Sequence, residues 1–134
     1  MAVAVWSRRF ETGIQLIDAQ HQALFTAVNR MAESFGDGLS HRQAAESLDF
    51  LDTYIREHFQ TEERFMRDMG YPALEAHLVE HAHLAGQVRD LQARQAGGAT
   101  ITMGVVILLA DWLKDHIEEA DMGYARFLRR DARP

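Results

Sequence analysis

Residues 54–81 read YIREHFQTEERFMRDMGYPALEAHLVEH, and this stretch decides the fold. It holds two pairs of one spacing, His58-x-x-x-Glu62 and His77-x-x-x-His81. Four residues advance an α-helix by about 400°, so the members of each pair leave one face about one turn apart. Between the pairs stands Met69-Gly70-Tyr71-Pro72. Gly70 suits the left-handed position that ends a helix, and Pro72 the first turn of the next. A helix, a reversal and a second helix would turn three imidazoles and a carboxylate toward one another, which is the donor set of a metal site.

The helical period extends in both directions from this stretch. Upstream, His21, Leu24, Phe25, Val28, Met31 and Phe35 recur at three and four. They predict a helix over 18–36, capped by Asp18 and ended by Gly36-Asp37-Gly38. The second helix, 40–69, opens with the capping-box pattern Ser40-x-x-Gln43 and carries Leu48, Leu51, Ile55, His58, Phe59, Glu62 and Met66 on one stripe. The third, 72–95, carries Leu74, His77, Leu78, His81, Leu84, Val88 and Leu91. Thr100 or Thr102 can cap a fourth over 101–121, whose stripe is Val105, Leu108, Leu109, Trp112, Leu113, His116 and Ile117. Residues 1–17 show no sustained period and are expected to form an extended arm anchored by Trp6, Phe10, Ile14 and Ile17. A short helical tail is expected over 123–134. The prediction is an all-α fold, an up-down-up-down four-helix bundle forming one domain over 1–134.

Composition narrows the chemistry. The chain has 134 residues, 47% hydrophobic and 25% charged, enough for one proper core. Its net charge of −6 argues against nucleic acid and anionic membrane surfaces. The absence of cysteine excludes disulfides, iron–sulfur clusters and thiolate metal sites. The longest apolar run, Ile101 to Leu113, contains Asp111 and is too short to span a bilayer, and the N-terminus does not read as a signal peptide. A cytoplasmic protein without membrane insertion is the expectation.

Five of the seven histidines, His21, His58, His77, His81 and His116, fall on core-facing stripes of all four helices. Glu62 and Asp121 accompany them, whereas Glu63, His41 and His83 lie off the stripes and read as solvated. A single buried histidine is commonly a hydrogen-bonded core residue, and His58 with Glu62 alone could be an ordinary ion pair. Five together are costly unless a metal takes their lone pairs, because imidazole binds as the neutral base. Seven donors suit two ions. Imidazole and carboxylate without thiolate fit iron, and also zinc, manganese or copper. Carboxylates can bridge two ions and neutral imidazoles cannot, so Glu62 and Asp121 are the natural bridges. If an oxo or hydroxo group also bridges two six-coordinate ions, five histidines complete one ion and leave the other one open position. One spacing resists the helix: His116 and Asp121 are five apart, about 140° off a common face, and share a target only where the helix frays or distorts or where the aspartate reaches sideways; Gly123 just beyond would permit a local break.

The order His21, His58-x-x-x-Glu62, His77-x-x-x-His81, His116-x-x-x-x-Asp121 resembles the hemerythrin family, and within it the single-domain prokaryotic bacteriohemerythrins. The flanking runs agree: Thr12-Gly13-Ile14, Ile17-Asp18-Ala19-Gln20-His21, His58-Phe59-Gln60-Thr61-Glu62-Glu63, Gly70-Tyr71-Pro72 and Trp112-Leu113-Lys114-Asp115-His116-Ile117. The resemblance covers nearly the whole chain, and the i+5 spacing belongs to the family pattern. It implies an oxo- or hydroxo-bridged di-iron centre that binds O2 reversibly, as carrier, store or sensor, without being an enzyme. It further implies that His77, His81 and His116 hold the six-coordinate iron, that His21 and His58 hold the iron with the open position, and that Glu62 and Asp121 bridge both. An apolar wall over the open position is implied as well, and Trp112, Leu113 and Ile117 are its candidates. Competing readings are a di-iron oxidase or peroxidase, and an iron or nitric oxide sensor acting through a partner. An oxygen-consuming or signalling protein partner would be unidentified.

Overall fold

A computed structural model describes residues 2–36, 41–99 and 101–131. Helix α1 is Gln15–Gly36, α2 is His41–Asp68, α3 is Leu74–Ala96, α4 is Met103–His116 and α5 is Met122–Asp131. The first four form the expected four-helix bundle. The closest backbone approaches are α2 with α3, α1 with α2, and α1 with α4, while α3 and α4 stand further apart. Among the described residues no helix is long and apolar enough to cross a membrane.

Each helix boundary has a local cause. Gly70 adopts φ of +66°, the left-handed conformation that closes α2, and Tyr71 N–H returns to Met66 O at 3.0 Å. Pro72 lies in the turn before α3 rather than inside its first turn. Thr102 is the N-cap of α4, its side chain accepting from Val105 N–H. Helix α1 begins at Gln15, three residues earlier than the cap at Asp18 predicts. Asp18 sits inside the first turn and reaches back, accepting from Thr12 N–H at 2.8 Å, Thr12 Oγ1 at 2.7 Å and Gly13 N–H at 3.2 Å. Its charge also suits the positive end of the helix. The expected caps at Ser40 and Thr100, and the stop at Asp37-Gly38, lie outside the described residues, as do the side chains of Phe35 and His41.

The distortion that the His116/Asp121 spacing requires is present, but as an inserted turn and not as a break at Gly123. Residues Ile117–Asp121 form one π turn, and the chain passes through it from α4 into α5 without leaving the helical path. Met122 N–H bonds to Ile117 O, five residues back. A π turn inserts one extra residue, so residues five apart share a face.

Residues 2–14 form the arm, with one short 3-10 turn at Arg8–Phe10. Its anchors are apolar: Ala4 and Phe10 are buried, and Phe10 meets Phe25 edge-on at 5.1 Å. Asn29 of α1 fastens it by polar contacts. Its Oδ1 accepts from Val3 N–H at 2.8 Å and Ala4 N–H at 2.9 Å, and its Nδ2 donates to Ala4 O at 2.7 Å. Lys114 Nζ adds a bond to Val3 O at 3.2 Å. Asn29→Ala should therefore lower stability by about 2 kcal/mol and expose the arm to protease before the bundle opens. Denaturant unfolding combined with limited proteolysis measures both effects, and an arm cut no faster than in the wild type would contradict the clamp.

Candidate metal centre

The bundle's phase brings one group of side chains from each helix to one level. His21 comes from α1, His58 and Glu62 from α2, His77 and His81 from α3, and His116 from α4. Asp121 closes the π turn. All seven are buried, with His21, Glu62 and Asp121 at 0% exposure. Their donor atoms fall into two overlapping sets. Glu62, His77, His81, His116 and Asp121 form one, and His21, His58, Glu62 and Asp121 form the other, each with its donor atoms within 4.8 Å of one another. The two carboxylates are common to both sets.

Asp121 is present because of the π turn. A regular helix would carry it about 140° from the face of His116. Instead its Oδ1 lies 3.1 Å from His116 Nε2 and 2.8 Å from His77 Nε2, and its Oδ2 lies 3.0 Å from His21 Nε2. Glu62 Oε1 lies 2.8 Å from His58 Nε2 and 3.4 Å from His81 Nε2.

These approaches are not a finished hydrogen-bond network. Among the described residues, nine buried side-chain polar atoms lack a hydrogen-bond partner, and eight of them belong to this cluster. They include Nε2 of His21, His77, His81 and His116, Oε1 of Glu62 and both oxygens of Asp121. Each such atom costs about 1–3 kcal/mol when left unpaired in the interior. Lone pairs converging from five imidazoles and two carboxylates fit divalent or trivalent iron, and the absence of thiolate is consistent with it.

The opposite ring nitrogens are held from outside. His58 Nδ1 lies 2.7 Å from Gln20 Oε1, His81 Nδ1 lies 2.9 Å from Glu63 Oε2, and His116 Nδ1 lies 3.0 Å from Glu80 Oε2. Such partners fix the tautomer so that Nε2 keeps its lone pair for a metal. Glu63 is thus corrected: although off the stripe, its carboxylate turns onto His81 and is only 24% exposed. His83 is exposed, as expected. The phenol of Tyr124, fully buried on α5, donates to Glu62 Oε2 at 2.6 Å. The periodicity singled out none of Gln20, Glu80 or Tyr124. The requirement that each buried imidazole have a second partner is the signal that leads to Gln20 and Glu80. His21 Nδ1 has no such partner among the described residues.

One turn from the histidines lies an apolar layer. Leu24, Ile55, Leu84 and Leu113 each stand three residues from a cluster histidine, after it on α1 and α3 and before it on α2 and α4. That alternation is what up-down-up-down topology requires. With Val28, Leu51 and Leu109 they line a small apolar cavity of about 10 Å³, at the lower limit for a single water-sized molecule. Of the three residues expected over the open position, Leu113 lines this cavity. Ile117 is fully buried in the core. Trp112 is not among the lining residues; its ring lies flat on His116, centroids 4.8 Å apart and planes 11° from parallel. Phe59 stacks on His81 in the same manner at 3.7 Å and 3°.

The charges of the metal-free cluster lean on one another. Burial alone would lower the pKa of His116, but the Asp121 carboxylate outweighs it and lifts the value to about 9. His58 is raised against its burial by Glu62. Burial and the Asp121 charge would raise Glu62, yet His58 and His81 bring it to about 2. Asp121 falls well below the usual carboxylate range, because His116, His21 and His77 overcome its burial. Burial and the neighbouring Glu62 charge push the Tyr124 phenol far upward, so it stays a donor.

A model of the hemerythrin HHE cation-binding domain matches residues 12–128. The bacteriohemerythrin of Methylococcus capsulatus is 33% identical over 126 residues, which cover 92% of this chain and 95% of that one. The bacteriohemerythrin of Pseudomonas aeruginosa is 33% identical over 129 residues, covering 96% and 84%. The crystal structure of a wild-type hemerythrin superposes with a TM-score of 0.88 at 32% identity, covering 93% of this chain and 97% of that one.

The metal-free protein should have a definite pH optimum. His116, raised from 6.5 to about 9, contributes stability that is complete below pH 6.5 and lost as pH rises through 9. Glu62, lowered from 4.5 to about 2, contributes stability that is complete above pH 4.5 and lost as pH falls through 2. Thermal melts of the metal-free chain should peak between those limits and decline toward pH 9. Metal displaces the imidazole protons, so its addition should release protons and remove the alkaline decline. A metal-free melting temperature that rises from pH 6.5 to 9 would refute this.

Proposed function

The chain belongs to the hemerythrin family, and from that premise we propose that it binds O2 reversibly at a pair of non-haem irons. The observation that carries this reading is the pair of overlapping donor sets sharing two carboxylates. In the proposed centre His77, His81 and His116 would hold one iron and His21 and His58 the other, with Glu62 and Asp121, common to both donor sets, serving both. Such a pair supplies two reducing equivalents and an open coordination position for a small diatomic ligand.

The chain's own residues do the rest. Gln20, Glu63 and Glu80 hold three imidazoles with Nε2 turned inward. Tyr124 donates to one oxygen of Glu62 and so fixes how that carboxylate faces the cluster. The leucine-rich layer excludes water and protons from the side where the cavity lies. Leu113 is the residue of that layer on α4, about one turn before His116.

Donor chemistry favours binding over oxidation. Catalytic di-iron bundles of the ferritin type use about four carboxylates. Here two carboxylates accompany five imidazoles. Fewer anionic donors stabilise high oxidation states of iron less, so O2 that enters can leave unchanged. We therefore read the protein as an oxygen carrier, store or sensor rather than an enzyme.

Rapid mixing of the reduced, iron-loaded protein with O2 should give a visible absorption band that vanishes under argon over repeated cycles. One-way conversion to the oxidised form, with turnover of an added substrate, would sink the proposal. Metal analysis should find two irons per chain. His77→Ala should weaken iron retention in a chelator competition by more than the roughly 10- to 100-fold that loss of a ligand's outer partner costs, and an unchanged two-iron content at all chelator levels would count against the assignment. Tyr124→Phe should leave two irons bound but accelerate their loss, since Glu62 loses its outer donor.

A further inference from the structure

An O2-binding iron pair that loses its two electrons is inert until they are replaced, and the chain has no cysteine that could supply them. Electrons must enter from outside across a surface close to the irons. Among the described residues, several aromatic rings lie against the cluster histidines. Phe59 stacks on His81 but is buried, and Tyr124, 5.7 Å from His77, is buried too. Trp6 lies 6.5 Å from His21 at a tilt. Trp112 alone combines parallel face contact with a cluster histidine and a place in a surface groove.

That groove runs between α3 and α4, the neighbouring helices whose backbones stand further apart. It has a volume of about 470 Å³. Its floor is Trp112, Leu91 and Leu109, and Leu108 at its edge is 70% exposed. Its rim carries three acids, Asp90, Asp111 and Asp115, against one base, Arg94. Arg94 pairs with Asp90 at 3.1 Å and Lys114 with Asp111 at 3.2 Å, so the rim keeps one excess negative charge, that of Asp115. A second copy of this chain, at −6, would be repelled. A larger acidic groove between α1 and α2 reaches His58 only through the saturated side chain of Gln20.

We infer that the α3/α4 groove, floored by Trp112, is the docking surface for an electron-donor protein whose apolar redox edge is ringed by lysines. The inference rests on the di-iron reading above. A lysine of the donor meets Asp115 and others compete with Arg94 and Lys114 for Asp90 and Asp111, its apolar edge meets Leu108 and Trp112, and the stacked rings of Trp112 and His116 connect the contact to the centre. Charge steers the encounter, and the small area keeps it brief, as suits redox partners. Two encounters deliver one electron each: two iron(III) become iron(II), two donor centres are oxidised by one electron, and no bond between the proteins forms or breaks.

The test mixes the oxidised, iron-loaded protein with a ferrous, lysine-rich c-type cytochrome in a stopped-flow instrument. The reduction rate should fall about tenfold or more between low and physiological salt. The double variant Leu108→Lys, Asp111→Lys should lower it similarly and abolish the weak binding seen by calorimetry between the oxidised proteins. Trp112→Leu should slow transfer while keeping that binding, and Trp112→Phe should restore most of the rate. Dithionite, a small anion, should reduce all forms alike. Iron that dithionite reduces, combined with cytochrome rates indifferent to salt and to the surface variants, would overturn the groove and leave the di-iron reading standing. A protein in which dithionite finds no reducible iron would remove the di-iron reading and this inference together.

Discussion

Seven polar groups in a dry interior, five imidazoles and two carboxylates, are the constraint that everything else in this bundle serves. Two fully buried carboxylates repel each other and lack the water that would solvate them. Each imidazole held by an outer partner has one lone pair left, facing the carboxylates. Without a metal the cluster settles by sharing protons, as the raised His116 and lowered Asp121 record. With cations at its centre the same atoms become complementary. The phases of four helices, the turn at Gly70 and the π turn all serve to bring these groups to one level.

The outer partners are unequal in a way that matters for the proposed centre. His81 and His116 lean on carboxylates, Glu63 and Glu80, which make an imidazole a stronger donor. His58 leans on the neutral amide of Gln20, and His21 Nδ1 on no described residue. The side with three histidines is thus also the side with stronger donors. The side with two is both less crowded and less electron-rich, which suits a position meant to take up a ligand and give it back.

Much of this was legible because burial and helical period speak together. The stripes of His58-Glu62 and His77-His81 located both the helices and the cluster, and Gly70 located the turn between them. What escaped were contacts set by side-chain reach rather than by phase. Glu63 leaves its helix off the core stripe, yet a carboxylate of that length bends onto His81. Tyr124 lay in a segment read only as a tail, because its bond to Glu62 depends on how α5 is aimed. Asp18 marked the start of α1 correctly in kind but acts from inside the first turn, a distinction of three residues that composition does not carry. The i+5 spacing was visible and called for a fraying or distortion of the helix or a sideways reach of the aspartate, without saying which; an inserted residue inside a continuing helix is the distortion found.

That inserted residue acts as a phase shifter. Everything after Ile117 is rotated by about 100° relative to the helix that α4 alone would have continued. The shift turns Asp121 toward the histidines and, by the same rotation, seats Tyr124 against Ile17 and Met66 in a second small core. It also brings Gly123 so close to Tyr71 that an added Cβ would lie 2.7 Å from the phenolic oxygen. A donor atom of the cluster and the packing of the chain's end are therefore set by one degree of freedom. A deletion that restored the regular α-helix would not trade one for the other: it would misalign both at once, which gives the fold a reason to keep an irregularity that helix energetics alone would remove.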